Sequence, residues 1–291
     1  MSETTATSMA ALLQEYLAEA SRHQAWMEHP EPLRRPVQIR SSVWQPWLAY
    51  GGDSSNTRSY CGPLPPHVSD PATDLLRSLP AVEPPEARRD RVIARPFLAD
   101  LATKAHRSRA DGDLVRLWVA TMMWGSGTSY GRGPWRTAQG LADETLLTVL
   151  RVTLGHLAEG NVQDAYRAFK VDGCGESFFT KWLWAASLAE DRATPRPLIL
   201  DDRVRGVLSI ANRGSASWKQ PRGSNGYIRY IEHVSTVASM LRETNGAGVT
   251  AEKVEWLMFE RPDAGGSGDN TSEPCLIEWL QRRGEQNPSS S

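Results

Sequence analysis

Phenylalanine is scarce in this 291-residue chain, with five in all, and cysteine occurs three times. Cys61, Cys174 and Cys275 are far apart and odd in number, which argues against a disulfide framework and fits a reducing compartment. Neither they nor the six histidines recur at zinc-ligand spacing, so no metal is expected. No apolar run approaches the roughly 20 residues that span a bilayer, so no membrane partner is expected. The opening MSETTATSMAALLQEYLAEA lacks the basic flank and continuous apolar core of a secretory signal. A cytoplasmic protein is the default expectation. An excess of one charge sign is missing too: 33 Lys and Arg face 34 Asp and Glu, for a net charge of -1. The strongly basic domain that points directly to nucleic acid is therefore excluded, and local charge must carry any such argument. There is no GxGxxG or Walker-type loop, no internal repeat and no alternation of strands with helices, so neither a nucleotide cofactor nor a doubly wound sheet is expected.

Tryptophan and proline are abundant, at 11 and 19. Indoles are costly to leave in water, so much of the chain must fold around them. Helical spacing predicts helices over 8–28, 95–109, 113–125, 143–158, 161–169, 178–190, 202–213, 227–245, 250–260 and 275–283. The fold class is mainly α, with little or no sheet. Residues 36–90, rich in proline, glycine and serine, read as a long wrapping segment with a short helix near 71–79, tied down by Trp44, Trp47 and Tyr50. The expected organisation is 1–90 as N-terminal helix and wrapping segment, 91–283 as helical domain, and 284–291 as a disordered tail.

Chemistry concentrates between residues 172 and 204. Gly173 and Gly175 bracket Cys174 between two helical segments, the pattern of a helix–hairpin–helix turn. Such a turn aims backbone amides and a helix N-terminus outward, a setting for a DNA phosphate, and would serve equally as a plain corner. The next helix is apolar on both sides and carries Lys181 amid Phe178, Trp182 and Ala185. Lysine in such a place either reaches water along its stem or has its amine made nucleophilic by desolvation. PLILDDRV then runs three apolar residues into Asp201 and Asp202 at a helix start. One of the two caps the helix, and the other faces outward or pairs with Arg203 or Arg205. A carboxylate so fixed suits a cationic transition state, or is a cap and nothing more.

The segment DGCGESFFTKWLWAASLAEDRATPRPLILDDRV resembles the heart of the helix–hairpin–helix DNA glycosylase superfamily, especially its 8-oxoguanine DNA glycosylase-like members. The resemblance implies a helical glycosylase-like fold, DNA as partner, and removal of an oxidised purine, with strand-cleaving lyase activity in bifunctional members. Lys181 looks like the nucleophile, Asp201 matches the assisting aspartate, and Asp202 has a supporting place. In the commonest form of the family the lysine stands where Ser177 stands here. Lys181 comes one helical turn later, which is similar to the archaeal-type arrangement. The alternative reading is a non-catalytic DNA-binding or sensor protein that keeps the glycosylase fold.

Two further segments fit nucleic acid. WGSGTSYGRGPWRT offers Trp124, Tyr130 and Trp135 as stacking surfaces, with Trp182 beside Lys181, and Arg132 and Arg136 for phosphates. Core closure by the tryptophans is the plain alternative. NRGSASWKQPRGSNGYIR gathers Arg213, Trp218, Lys219 and Arg222 with no acid before Glu232. Together with Gly173, Gly175 and Ser177 these are the expected DNA contacts, or else a solvated loop. His233 reads as an outward-facing structural residue.

Overall fold

The computed structural model describes residues 3–29, 36–52, 61–86, 89–127, 131–189, 195–212, 220–260 and 274–286. The helices in chain order are α1 (Glu3–Glu19), α2 (Ser21–Glu28), α3 (Ser41–Tyr50), α4 (Pro66–Ser78), α5 (Arg95–Ser108), α6 (Asp111–Ser126) and α7 (Gly133–Ala142). They continue with α8 (Leu146–Ala158), α9 (Val162–Ala168), α10 (Glu176–Ala186), α11 (Asp202–Ala211), α12 (Gly223–Asn245), α13 (Ala251–Phe259) and α14 (Leu276–Gln286). Three strands, β1 (Val37–Ile39), β2 (Ala81–Glu86) and β3 (Arg89–Ile93), and a short 3-10 helix (Ser187–Ala189) complete the elements among the described residues. The fold is mainly α, as expected.

The chain divides into two compact units, Met1–Pro32 with Leu198–Ser291, and Leu33–Pro197. Both sides of the expected boundary at residue 90 fall within the second.

The Leu33–Pro197 unit is built around α6. From Leu114 to Trp124 nearly every residue of this helix is buried, and it packs against α4, α5, α7, α8 and α10. A helix apolar on all sides belongs in the middle of a core. Trp118 meets Trp182 of α10 edge to face, with ring centres 6.0 Å apart, and the Trp182 indole N–H donates to Thr153 Oγ1 of α8 at 2.9 Å. The polar tip of a buried ring is thereby satisfied.

The region expected to be irregular is more ordered than its composition suggests. α3 forms across Pro46, whose ring removes one helical hydrogen bond. Fully buried Trp44 and Leu48 on either side hold it, and Gly51 ends it in the left-handed conformation. α4 starts at Pro66 rather than near 71, since a proline in the first turn loses no needed N–H. The little sheet there is among the described residues is one small antiparallel sheet of order β1-β3-β2. Val37 pairs with Ile93 and Ile39 with Arg91, while Ala81 pairs with Arg91. β2 carries Pro84 and Pro85, which cannot donate to a ladder and so lie on an edge strand.

In the other unit the helix expected over 8–28 is two helices, broken at Ala20. α1 packs on α12, and α11 on α13 and α14. Lys253 of α13 is 2 % exposed and donates to the carbonyls of Trp26 at 3.1 Å, Met27 at 3.2 Å and His29. It thus closes the C-terminal end of α2, where helical carbonyls have no partner of their own. Burial pulls its ammonium pKa down.

Candidate active site

The turn between α9 and α10 is fixed from three sides. Gly173 has φ +74, a conformation that favours glycine, and the Gln139 side chain of α7 lies close against it, 2.5 Å from where a Cβ would stand. The Cys174 amide donates to the Val171 carbonyl at 3.1 Å, and the Asp172 amide to Asp143 Oδ2 at 2.9 Å. Gly175 is the extended N-cap of α10, and its carbonyl accepts from Phe178 and Phe179. Gly175 has no side chain to cap this end. The Tyr166 hydroxyl of α9 donates to Glu176 Oε1 and ties the two helices together.

Lys181 lies in the second turn of α10 and is 7 % exposed. Helical side chains lean toward the N-terminus. The amine follows that lean and donates to the Ser177 carbonyl at 3.0 Å. It is thereby returned to the turn of Ser177, the position the resemblance gives to the lysine in its commonest form. Its stem crosses Gly125 of α6, where a Cβ would come within 2.5 Å of Lys181 Cδ. Gly125 makes the room for this lysine. The Nζ stands 5.2 Å from the Phe178 ring centre, and the Arg136 guanidinium of α7 stands 5.0 Å from the same centre. Cys174 is buried in the turn. Burial pushes its thiol pKa far up against the pull of Arg136 and Lys181, which disfavours the thiolate.

Asp201 belongs to the other unit, where Leu198, Ile199 and Leu200 lead to it fully buried. Two tyrosines of α12 anchor that approach: the Tyr227 hydroxyl donates to the Leu198 carbonyl at 2.6 Å and the Tyr230 hydroxyl to the Ile199 carbonyl at 2.8 Å. Burial raises the Tyr230 phenol well above its ordinary pKa, and the carboxylates of Glu255 and Asp201 act in the same direction. Asp201 is the N-cap of α11. Its Oδ1 accepts from the amides of Arg203 and Val204, each at 3.1 Å. Both cap bonds fall on one oxygen, and Oδ2 takes no hydrogen bond among the described residues. The first of the two aspartates is therefore the cap, and Asp202 is exposed in the first turn.

The remaining expected residues are dispersed. Trp124 is buried, stacked on Trp184 with ring centres 4.9 Å apart, and the Arg95 guanidinium lies 4.5 Å from the Trp184 ring and 5.6 Å from that of Trp124. Trp182 is fully enclosed. Trp135 is half-buried, and its carbonyl lies 4.0 Å from Cys61 Sγ. Arg222 is exposed at the start of α12. Tyr130, Arg213, Trp218 and Lys219 lie outside the described residues. His233, expected to face outward, is 3 % exposed, and burial drives its pKa down to about 4. Among the described residues no group of three His, Cys, Asp or Glu side chains gathers to hold a metal.

The sequence marks Gly125 only as a helix stop and Phe178 only as an apolar residue on the face of Trp182 and Ala185. Phe178 was legible, since it stands three residues before Lys181 on one helix and so shares its face. Gly125 acts through a tertiary contact, and no local pattern marks it.

A family model described as "Putative 8-oxoguanine DNA glycosylase OGG-like protein" matches residues 66–259, a span that includes the hairpin, Lys181 and Asp201. No curated protein matches the chain, and no solved structure does. Among the described residues no helix is long and apolar enough to cross a membrane.

Proposed function

The chain belongs to this OGG-like family, and from that premise we propose that it excises an oxidised purine such as 8-oxoguanine from DNA, with Lys181 as the nucleophile. The observation that carries this reading is the return of the buried Lys181 amine to the Ser177 carbonyl. That lean compensates for a lysine placed one turn late.

In the proposed reaction the neutral amine attacks the sugar C1′ of an extruded nucleotide, and the glycosidic bond breaks. The base leaves with that bond's electron pair and takes up a proton. Loss of one proton from the attacking nitrogen gives an aminal at C1′; the nitrogen lone pair then breaks the C1′–O4′ bond, O4′ takes up a proton, and a protonated imine links Lys181 to the opened sugar. Removal of a C2′ proton then expels the 3′ phosphate by β-elimination, and water hydrolyses the imine. Asp201 has the role of stabilising positive charge that develops on the sugar, through a carboxylate whose one oxygen is already fixed by the cap. Asp202 supports it as a first-turn acid. Gly173, Gly175 and Ser177 form the proposed phosphate-facing turn, and Arg213, Trp218, Lys219 and Arg222 are further proposed DNA contacts. Trp135 is the preferred stacking surface, because Trp124 has a ring face taken by Trp184 and Trp182 lies within the core.

A second reading, a DNA-binding protein without excision, is favoured by the same hydrogen bond, since a structural lysine also satisfies itself on its own helix. Base release separates the two. Duplex DNA with one 8-oxoguanine should lose that base with the wild-type chain and keep it with Lys181→Gln. Binding without release from any oxidised purine would establish the second reading.

A further inference from the structure

Phe178 is shared by two basic side chains from different helices, Lys181 from its own helix α10 and Arg136 from α7, each about 5 Å from the ring centre. Arg136 forms no ion pair and no side-chain hydrogen bond among the described residues. Of the carboxylates at the start of α10 and the end of α7, Glu176 accepts from Tyr166, and Asp143 accepts from Thr145 and from the Asp172 amide. One turn along α7 from Arg136, Gln139 packs against Gly173 of the hairpin. The guanidinium is therefore a half-buried positive charge, held on an aromatic ring beside the hairpin and the Lys181 amine, with no ion pair among the described residues.

A guanidinium stacked on a ring keeps its planar fork of donors available at its edge, and that fork matches two oxygens of a phosphate. We infer that Arg136 binds a phosphodiester of the DNA strand, the one flanking the nucleotide that Lys181 attacks. The inference rests on the glycosylase reading and adds to it a residue that sets the sugar against the amine. The phenyl ring holds the guanidinium in place before DNA arrives, which reduces the ordering cost of binding.

The test is salt-dependent binding of the full chain to a duplex carrying one tetrahydrofuran abasic site, measured by fluorescence anisotropy between about 50 and 200 mM salt. Arg136→Met keeps an apolar stem on Phe178 and removes the charge. It is expected to bind about 3- to 10-fold more weakly, with the slope of log affinity against log salt shallower by about 1. A slope and affinity equal to wild type overturn the inference. Arg136→Lys serves if the methionine variant melts early: a weaker complex with unchanged slope supports the fork, and full wild-type affinity overturns it. If Lys181 is still trapped on DNA while both variants bind like wild type, the phosphate role alone falls. If the wild-type chain neither binds this duplex nor releases a base, the glycosylase reading falls and the Arg136 role with it.

Discussion

Gly125 and Lys181 fit each other so closely that a single added carbon on the glycine would sit 2.5 Å from the lysine Cδ. The contact is with the middle of the stem rather than its mobile end. Gly125→Ala must therefore push the whole side chain aside. The variant is expected to lose about 1–3 kcal/mol of stability, the usual cost of overpacking, measured by urea unfolding. The amine would also leave its place above Phe178, so base release should fall by at least tenfold in protein that remains folded. Unchanged release would show that the lysine position is not what Gly125 protects.

Asp201 combines a cap with a proposed electrostatic role, and two variants separate them. Asp201→Asn keeps an acceptor for the Arg203 and Val204 amides, so its stability should stay close to wild type. It loses the charge, and base release should drop about 100-fold. Asp201→Ala should lose both, with about 1 kcal/mol of stability gone as well. Equal release from the asparagine variant and wild type would reduce Asp201 to a cap.

Lys253 is expected to be structural only. Lys253→Met leaves the carbonyls of Trp26, Met27 and His29 buried without their donor. A loss of about 3 kcal/mol in urea unfolding is expected, with DNA affinity per folded molecule unchanged.

His233 gives the fold a dependence on pH. Its folded pKa is about 4, below the ordinary histidine value of about 6.5. Between those values the unfolded chain binds a proton that the folded chain refuses, so stability falls as pH falls through that window. Above about pH 6.5 the contribution is fully present. Going from pH 7 to pH 5 should cost about 2 kcal/mol through this residue, and His233→Asn should lack that component of the slope. Parallel pH profiles for the two proteins would contradict it.

The readable parts of this molecule were those written in local pattern. The apolar run ending in Asp201 announced a helix start, and the glycines around Cys174 announced a turn. Helical spacing of Leu114, Leu117 and Trp118 announced the central helix. Proline hid what lay beyond: Pro46 disguised α3, and Pro84 with Pro85 disguised an edge strand, because local penalties there are outweighed by burial and by position in the sheet. His233 was misread although it shares helical spacing with Tyr230 and Val237, both fully buried. The stem of Lys181 across Gly125 and the shared ring of Phe178 depend on distant segments meeting. Nothing in the residues near Gly125 records that.

The most direct measurement is covalent capture: the wild-type chain is mixed with 8-oxoguanine duplex under borohydride, and the adduct is digested and mapped. The account predicts a cross-linked peptide modified at Lys181, and its disappearance in Lys181→Gln. An adduct on another residue, or base release that proceeds with no adduct at all, would contradict it.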